Sequence, residues 1–148
     1  MNRDRLHPDV ALVSLGGTFS DNQIAGVMGR FPNAKAFDCF DNDIAGRIYG
    51  LRMVGLIEGV PMKISKAEDG LQVEAEGKTF TVNPAKPLAS QLAAHLPVRY
   101  LTGQWLPPKA FKDWNDCLLN KTVAPVLAPC KEERDRNLAE RRKGSLKM

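Results

Sequence analysis

The residues best suited to chemistry in this 148-residue chain are Asp41 and Asp43, in the run Phe40-Asp41-Asn42-Asp43-Ile44-Ala45-Gly46-Arg47. Carboxylates at i and i+2 of an extended stretch can converge on one point, whereas those at i and i+1 diverge. Clustered carboxylates repel each other unless a cation lies between them. Hard oxygen donors with Asn42 alongside favour Mg²⁺, or Mn²⁺ in its place, over zinc or iron. The competing reading is structural, since Asp is a preferred helix N-cap and suits the positive end of the helix dipole. One cap accounts for one Asp, and a pair leaves a carboxylate over.

A second candidate is Gly16-Gly17-Thr18, a turn in which backbone could approach a phosphate closely. It lacks the Gly-Lys-Ser/Thr ending of a P-loop and the G-x-G-x-x-G of a dinucleotide fold, so nucleotide cradling is the weakest of the functional readings. Three cysteines, Cys39, Cys117 and Cys130, contain no C-x-x-C pair, and the histidines, His7 and His95, are distant from each other and from any Cys. That spacing gives no zinc site and predicts reduced thiols, two packed and one on a loop.

The elements that must position these residues follow from periodicity. Val10-Ala-Leu-Val-Ser-Leu15 has the apolar run of a buried parallel strand. Ser20-Asp-Asn-Gln23 has the spacing of a capping box, so a helix starts there, buries Ile24, Val27 and Met28, and ends at Phe31-Pro32-Asn33. Residues 35–40 form the next strand and 45–58 the next helix, with Ile48, Leu51, Met53, Val54 and Ile57 for the core. Such a βαβα succession calls for a parallel sheet with right-handed crossovers. Residues 62–64, 71–75 and 79–82 alternate in the manner of strands around two turns, which predicts a small antiparallel insertion at about 61–84. A helix over 88–96, a strand over 98–101 and a short helix over 113–120 complete a domain ending near residue 124. The segment 125–148 is a basic tail, helical or disordered.

Leu15-Gly16-Gly17-Thr18, the helix and strand after it, Asp41-Asn42-Asp43 and Ala45-Gly46-Arg47 together resemble the Toprim domain of bacterial primases, topoisomerases and related nucleases. Lys112-Asp113-Trp114-Asn115-Asp116 followed by Leu118 resembles the closing motif of the branch found in primase-like and mobilisation proteins of mobile elements. The likeness covers roughly residues 10–119. It implies an α/β, Rossmann-like sheet, mostly parallel and flanked by helices, with Asp41 and Asp43 as Mg²⁺ ligands. Asp113 and Asp116 would stand as carboxylates behind them, although Trp114 burying its ring and Asp113 capping a helix explain that motif as well. Gly16, Gly17, Arg47 and Lys112 would face phosphate or nucleic acid. The implied activity is primer synthesis or strand cleavage in a plasmid or conjugative element, with DNA and other mobilisation or replication proteins as partners. Toprim domains also carry a catalytic Glu on an earlier strand. The nine residues before Val10 contain none, and Glu58, after the second helix, does not match. The chain is thus expected to be a fragment of a longer protein or a relative that has lost that strand, so the catalytic residue is unassigned. A parallel strand without its neighbour shows unpaired backbone and is expected to promote self-association.

Composition bounds these readings. With 43% apolar and 26% charged residues, the chain has the make-up of one globular domain, not of a coiled coil or a disordered chain. No apolar run approaches the roughly 20 residues of a membrane-spanning helix, and no apolar stretch follows the charged N-terminus as in a signal peptide, so the expected location is the cytoplasm. The net charge of +4 is uneven: residues 131–148 hold seven Lys/Arg against four Asp/Glu, leaving 14 against 13 in the rest. A basic tail can bind DNA by counterion release, with Arg47 and Arg52 as further cations, in a non-catalytic module. The tail also reads as a solvated helix of mixed charge.

Overall fold

A computed structural model describes residues 9–99 and 102–122, as a mixed α/β arrangement with one small parallel sheet and one three-stranded antiparallel sheet. Helix α1 (Asp21–Arg30) begins at the expected capping box: the Gln23 N–H donates to Ser20 Oγ, and the Ser20 N–H donates to Gln23 Oε1. Strand β1 (Ala36–Asp38) leads through the Asp41-Asn42-Asp43 loop into helix α2 (Ile44–Glu58). Gly59 ends that helix at φ 70°, a left-handed conformation that suits glycine.

Strands β2 (Lys63–Ala67), β3 (Gly70–Ala75) and β4 (Lys78–Val82) form the expected antiparallel meander. Its buried face carries Leu71, Val73, Ala75, Phe80 and Val82, the period-two pattern read from the sequence. Helix α3 (Leu88–Ala93) ends short of the expected boundary. Strand β5 (Thr102–Gln104) pairs in parallel with β1, Ala36 opposite Thr102 and Asp38 opposite Gln104. Helix α4 (Trp114–Leu118) follows, capped by Asp113.

Helix α2 is apolar nearly all round because it is enclosed on two sides. Leu51 and Val54 join the meander, Leu88, Leu92 and Leu96 in the larger core. Met53 joins Phe19 and Ile24 in a smaller one, against which Leu15, Met28, Ala36, Phe40, Tyr49 and Ile57 pack. Leu51, Leu71, Val73, Val82, Leu88 and Leu92 have no measurable exposure. Each such side chain contributes roughly 1.5–3 kcal/mol by leaving water.

Two expectations are corrected. Residues 10–15 do not form a strand: they are irregular, largely exposed and joined to β1 by no backbone hydrogen bond. A strand needs a neighbour within about 4.8 Å, and here a cavity separates the segment from β1. Among the described residues the parallel sheet therefore consists of β1 and β5, and the antiparallel unit is the larger sheet, so the expected mostly parallel sheet is not what these residues form. Of the strand expected at 98–101, Val98 and Arg99 are irregular, residues 100 and 101 lie outside the described residues, and β5 is described from Thr102. The basic tail lies outside the described residues. Among the described residues no helix is long and apolar enough to cross a membrane.

Candidate metal and nucleic-acid site

The Asp41-Asn42-Asp43 loop leaves the carboxyl end of β1, and the loop after β5 leaves the same end of the parallel pair. Backbone and side chain of Asn42 join the two. The Asn42 N–H donates to the Lys112 carbonyl at 2.6 Å. Its Nδ2 donates to the carbonyls of Pro107 at 2.8 Å, Pro108 at 3.3 Å and Phe111 at 2.9 Å. Its Oδ1 accepts from Arg47 Nη2 at 3.0 Å. The two motifs singled out in the sequence, about 70 residues apart, are thus one structural unit built around a buried amide.

Asp43 and Asp113 are both helix caps. Asp43 Oδ1 accepts from the Gly46 N–H at 2.8 Å, and Asp113 Oδ1 accepts from the Asp116 N–H at 2.7 Å. Asp43 Oδ2 lies 4.0 Å from Lys112 Nζ. Asp41 caps nothing. Burial raises its carboxyl above the ordinary range, and the negative charges of Asp43, Asp113 and Asp116 raise it further, against a smaller opposing pull from Lys112. Four carboxylates therefore share one electrostatic neighbourhood with one ammonium. Among the described residues no three His, Cys, Asp or Glu side chains converge tightly enough to enclose a metal. Asp41 and Asp43 Oδ2 are left as two carboxylate donors, a set whose chemistry suits Mg²⁺, which keeps several waters and commonly takes one or two carboxylates plus a substrate phosphate.

Gly46 explains the Ala45-Gly46-Arg47 signature physically: a Cβ there would collide with the Asp41 carbonyl oxygen. Gly16 and Gly17 have φ of 66° and 89°, so glycine is required for the turn itself, and open space surrounds both. They line the same cavity as Asp41 and Asp43.

Arg47 is corrected as a nucleic-acid contact. It is 4% exposed, and its Nε donates to the Pro84 carbonyl at 2.9 Å while Nη2 holds Asn42. It is a strut between the meander and the Asn42 loop. Arg52 is also engaged, bridging to Asp21 and lying 5.1 Å above the Phe19 ring. Lys112 keeps an exposed side chain. Cys39 is exposed and Cys117 partly buried, both as free thiols; Cys130 and His7 lie outside the described residues. His95 stacks on Phe80, remote from the acidic loops in sequence.

Two residues that sequence reasoning passed over, Asp38 and Gln104, lie against Gly50 of α2. Asp38 is 3% exposed, its carboxylate closes no well-directed hydrogen bond, and Gln104 Nε2 and Arg47 Nη1 are buried and unpartnered likewise. Burial pushes the Asp38 carboxyl up to about 6, although the Phe40 amide, the Arg47 charge and the Gln104 amide pull it back. The period-two series Ala36, Asp38, Phe40 places Asp38 on the core-facing side of β1, and that alternation was the available signal. No family model, curated protein or solved structure matches the chain.

Proposed function

We propose that the chain is a Toprim-like, Mg²⁺-dependent nucleic-acid-processing domain of a plasmid or conjugative element, acting in primase-type nucleotidyl transfer or DNA strand cleavage. The supporting observation is the union of the Asp41-Asn42-Asp43 and Lys112–Asp116 motifs at the carboxyl end of a parallel strand pair, where α/β sheets bind ligands. In this reading Asp41 and Asp43 hold the cation, which when bound neutralises charge developing on phosphate. Asn42 and Arg47 fix the loop, Gly16 and Gly17 allow backbone close to phosphate, and Lys112 supplies a cation at the rim. Asp113 and Asp116 deepen the negative field that attracts the metal.

A non-catalytic DNA- or protein-binding module is the second reading, favoured by the two caps and the absence of a three-ligand cluster among the described residues. Fluorescence anisotropy with a labelled DNA oligonucleotide separates the two. The first requires that Mg²⁺ tighten binding and that Asp41→Asn/Asp43→Asn abolish that gain. Binding indifferent to EDTA and to the double substitution, and steeply weakened by salt, would establish the second instead.

A further inference from the structure

One edge of β1 carries backbone that nothing among the described residues pairs. The Asp38 carbonyl accepts from the Trp105 N–H at 2.8 Å, so residue 38 presents its backbone to β5. The alternation of a parallel ladder then turns the amide and carbonyl of Phe37 and Cys39 to the opposite edge, where no backbone bond is made to them. On that edge lies a cavity of about 1470 Å³. It is larger than the roughly 300–1,000 Å³ typical of a small-molecule pocket.

The cavity has the form of a slot for one extended chain. One wall is Ala36, Phe37, Asp38 and Cys39; the other is residues 10–15, which are irregular and lack ladder bonds. Its floor is apolar, with Ile24, Met28, Met53 and Ile57. Val10, Leu12 and Val13 are about half exposed along the second wall. Residues 10–15 lead through α1 into β1, so the two walls are successive segments of the chain on either side of the cavity. The carboxyl end of the slot is acidic, bounded by Asp41 and Asp43, whereas Lys35 lies toward the other end.

We infer that this slot is a strand-addition site for an extended segment of another protein, running parallel to β1, with apolar side chains at alternate positions and Lys or Arg at its carboxyl-terminal end. Directional backbone bonds to Phe37 and Cys39 would give the affinity, and inward side chains on the apolar floor the register. The terminal cation answers the carboxylates at the end of β1. This inference does not depend on the metal reading, because the paired groups are backbone atoms and the floor is apolar.

The test uses the full chain and the fluorescein-labelled peptide Ser-Val-Thr-Ile-Thr-Val-Lys-amide, in EDTA, by anisotropy. Saturable binding is expected, with a loss of roughly tenfold when the amide of the central Ile, one of the inward residues whose backbone turns to β1, is N-methylated, which removes a donor but leaves the apolar side chains. Replacing the Lys by Glu is expected to weaken binding as well. Hydrogen exchange should show new protection at the Phe37 and Cys39 amides when the peptide binds. Absence of saturable binding, equal affinity for the N-methylated peptide, or no protection at those amides would overturn the proposal. So would protection of the same amides in a concentration-dependent dimer without peptide, which would assign the slot to a second copy.

Discussion

Asn42 is the residue on which the site's geometry depends, because a single buried side chain satisfies three carbonyls of one loop and accepts from Arg47. Asn42→Ala leaves those carbonyls and a buried guanidinium without partners, so a loss of about 2–4 kcal/mol is expected in urea unfolding. Asp38 sets a pH dependence. Its folded value is raised from 3.8 to about 6, so the native state holds a proton that the unfolded chain has released across that window. Its stability contribution is complete below about pH 4 and falls as pH rises through 6, by on the order of 3 kcal/mol in all. Asp38→Asn should remove that part of the pH–stability profile; an unchanged profile would show that another group titrates there. The sequence made Asp41 and Asp43 conspicuous through spacing, and the cap weighed against Asp43 is present. Arg47 was misplaced because its charge was read as a surface property, whereas its partners come from residues 5 and 37 positions away.

Among elements, those specified by local chemistry were legible and those that depend on a neighbour were not. The α1 capping box, the α2 cap and the meander turns all follow from residues within a few positions of one another. Residues 10–15 have the composition of a buried strand, but β structure needs a partner that a local pattern cannot supply. Glycines give a contrast testable by thermal and urea unfolding. Gly46→Ala should destabilise by about 1–3 kcal/mol, because the added methyl meets the Asp41 carbonyl and the loop must shift. Gly26→Ala, in α1 with open space around the site, should stabilise by about 0.5–1 kcal/mol through helix propensity. Equal effects at the two positions would mean that the α2–loop contact is not tight.

At the scale of the whole molecule, α2 serves as the common support. One side holds the meander core, the other the smaller core with α1 and β1, and its first turn carries the acidic loop. The charge of the site is opposite to that of the chain, which carries +4 overall, so a phosphate partner is repelled locally unless a cation intervenes. That requirement makes the cation the central claim. Its most direct test is titration of the purified chain with Mn²⁺ by water-proton relaxation, beside Asp41→Asn/Asp43→Asn, with circular dichroism confirming that both are folded. One bound ion in the wild type, displaced by Mg²⁺ and lost in the folded double mutant, is the predicted result. Equal Mn²⁺ affinity in both proteins, or binding in neither, would contradict the account.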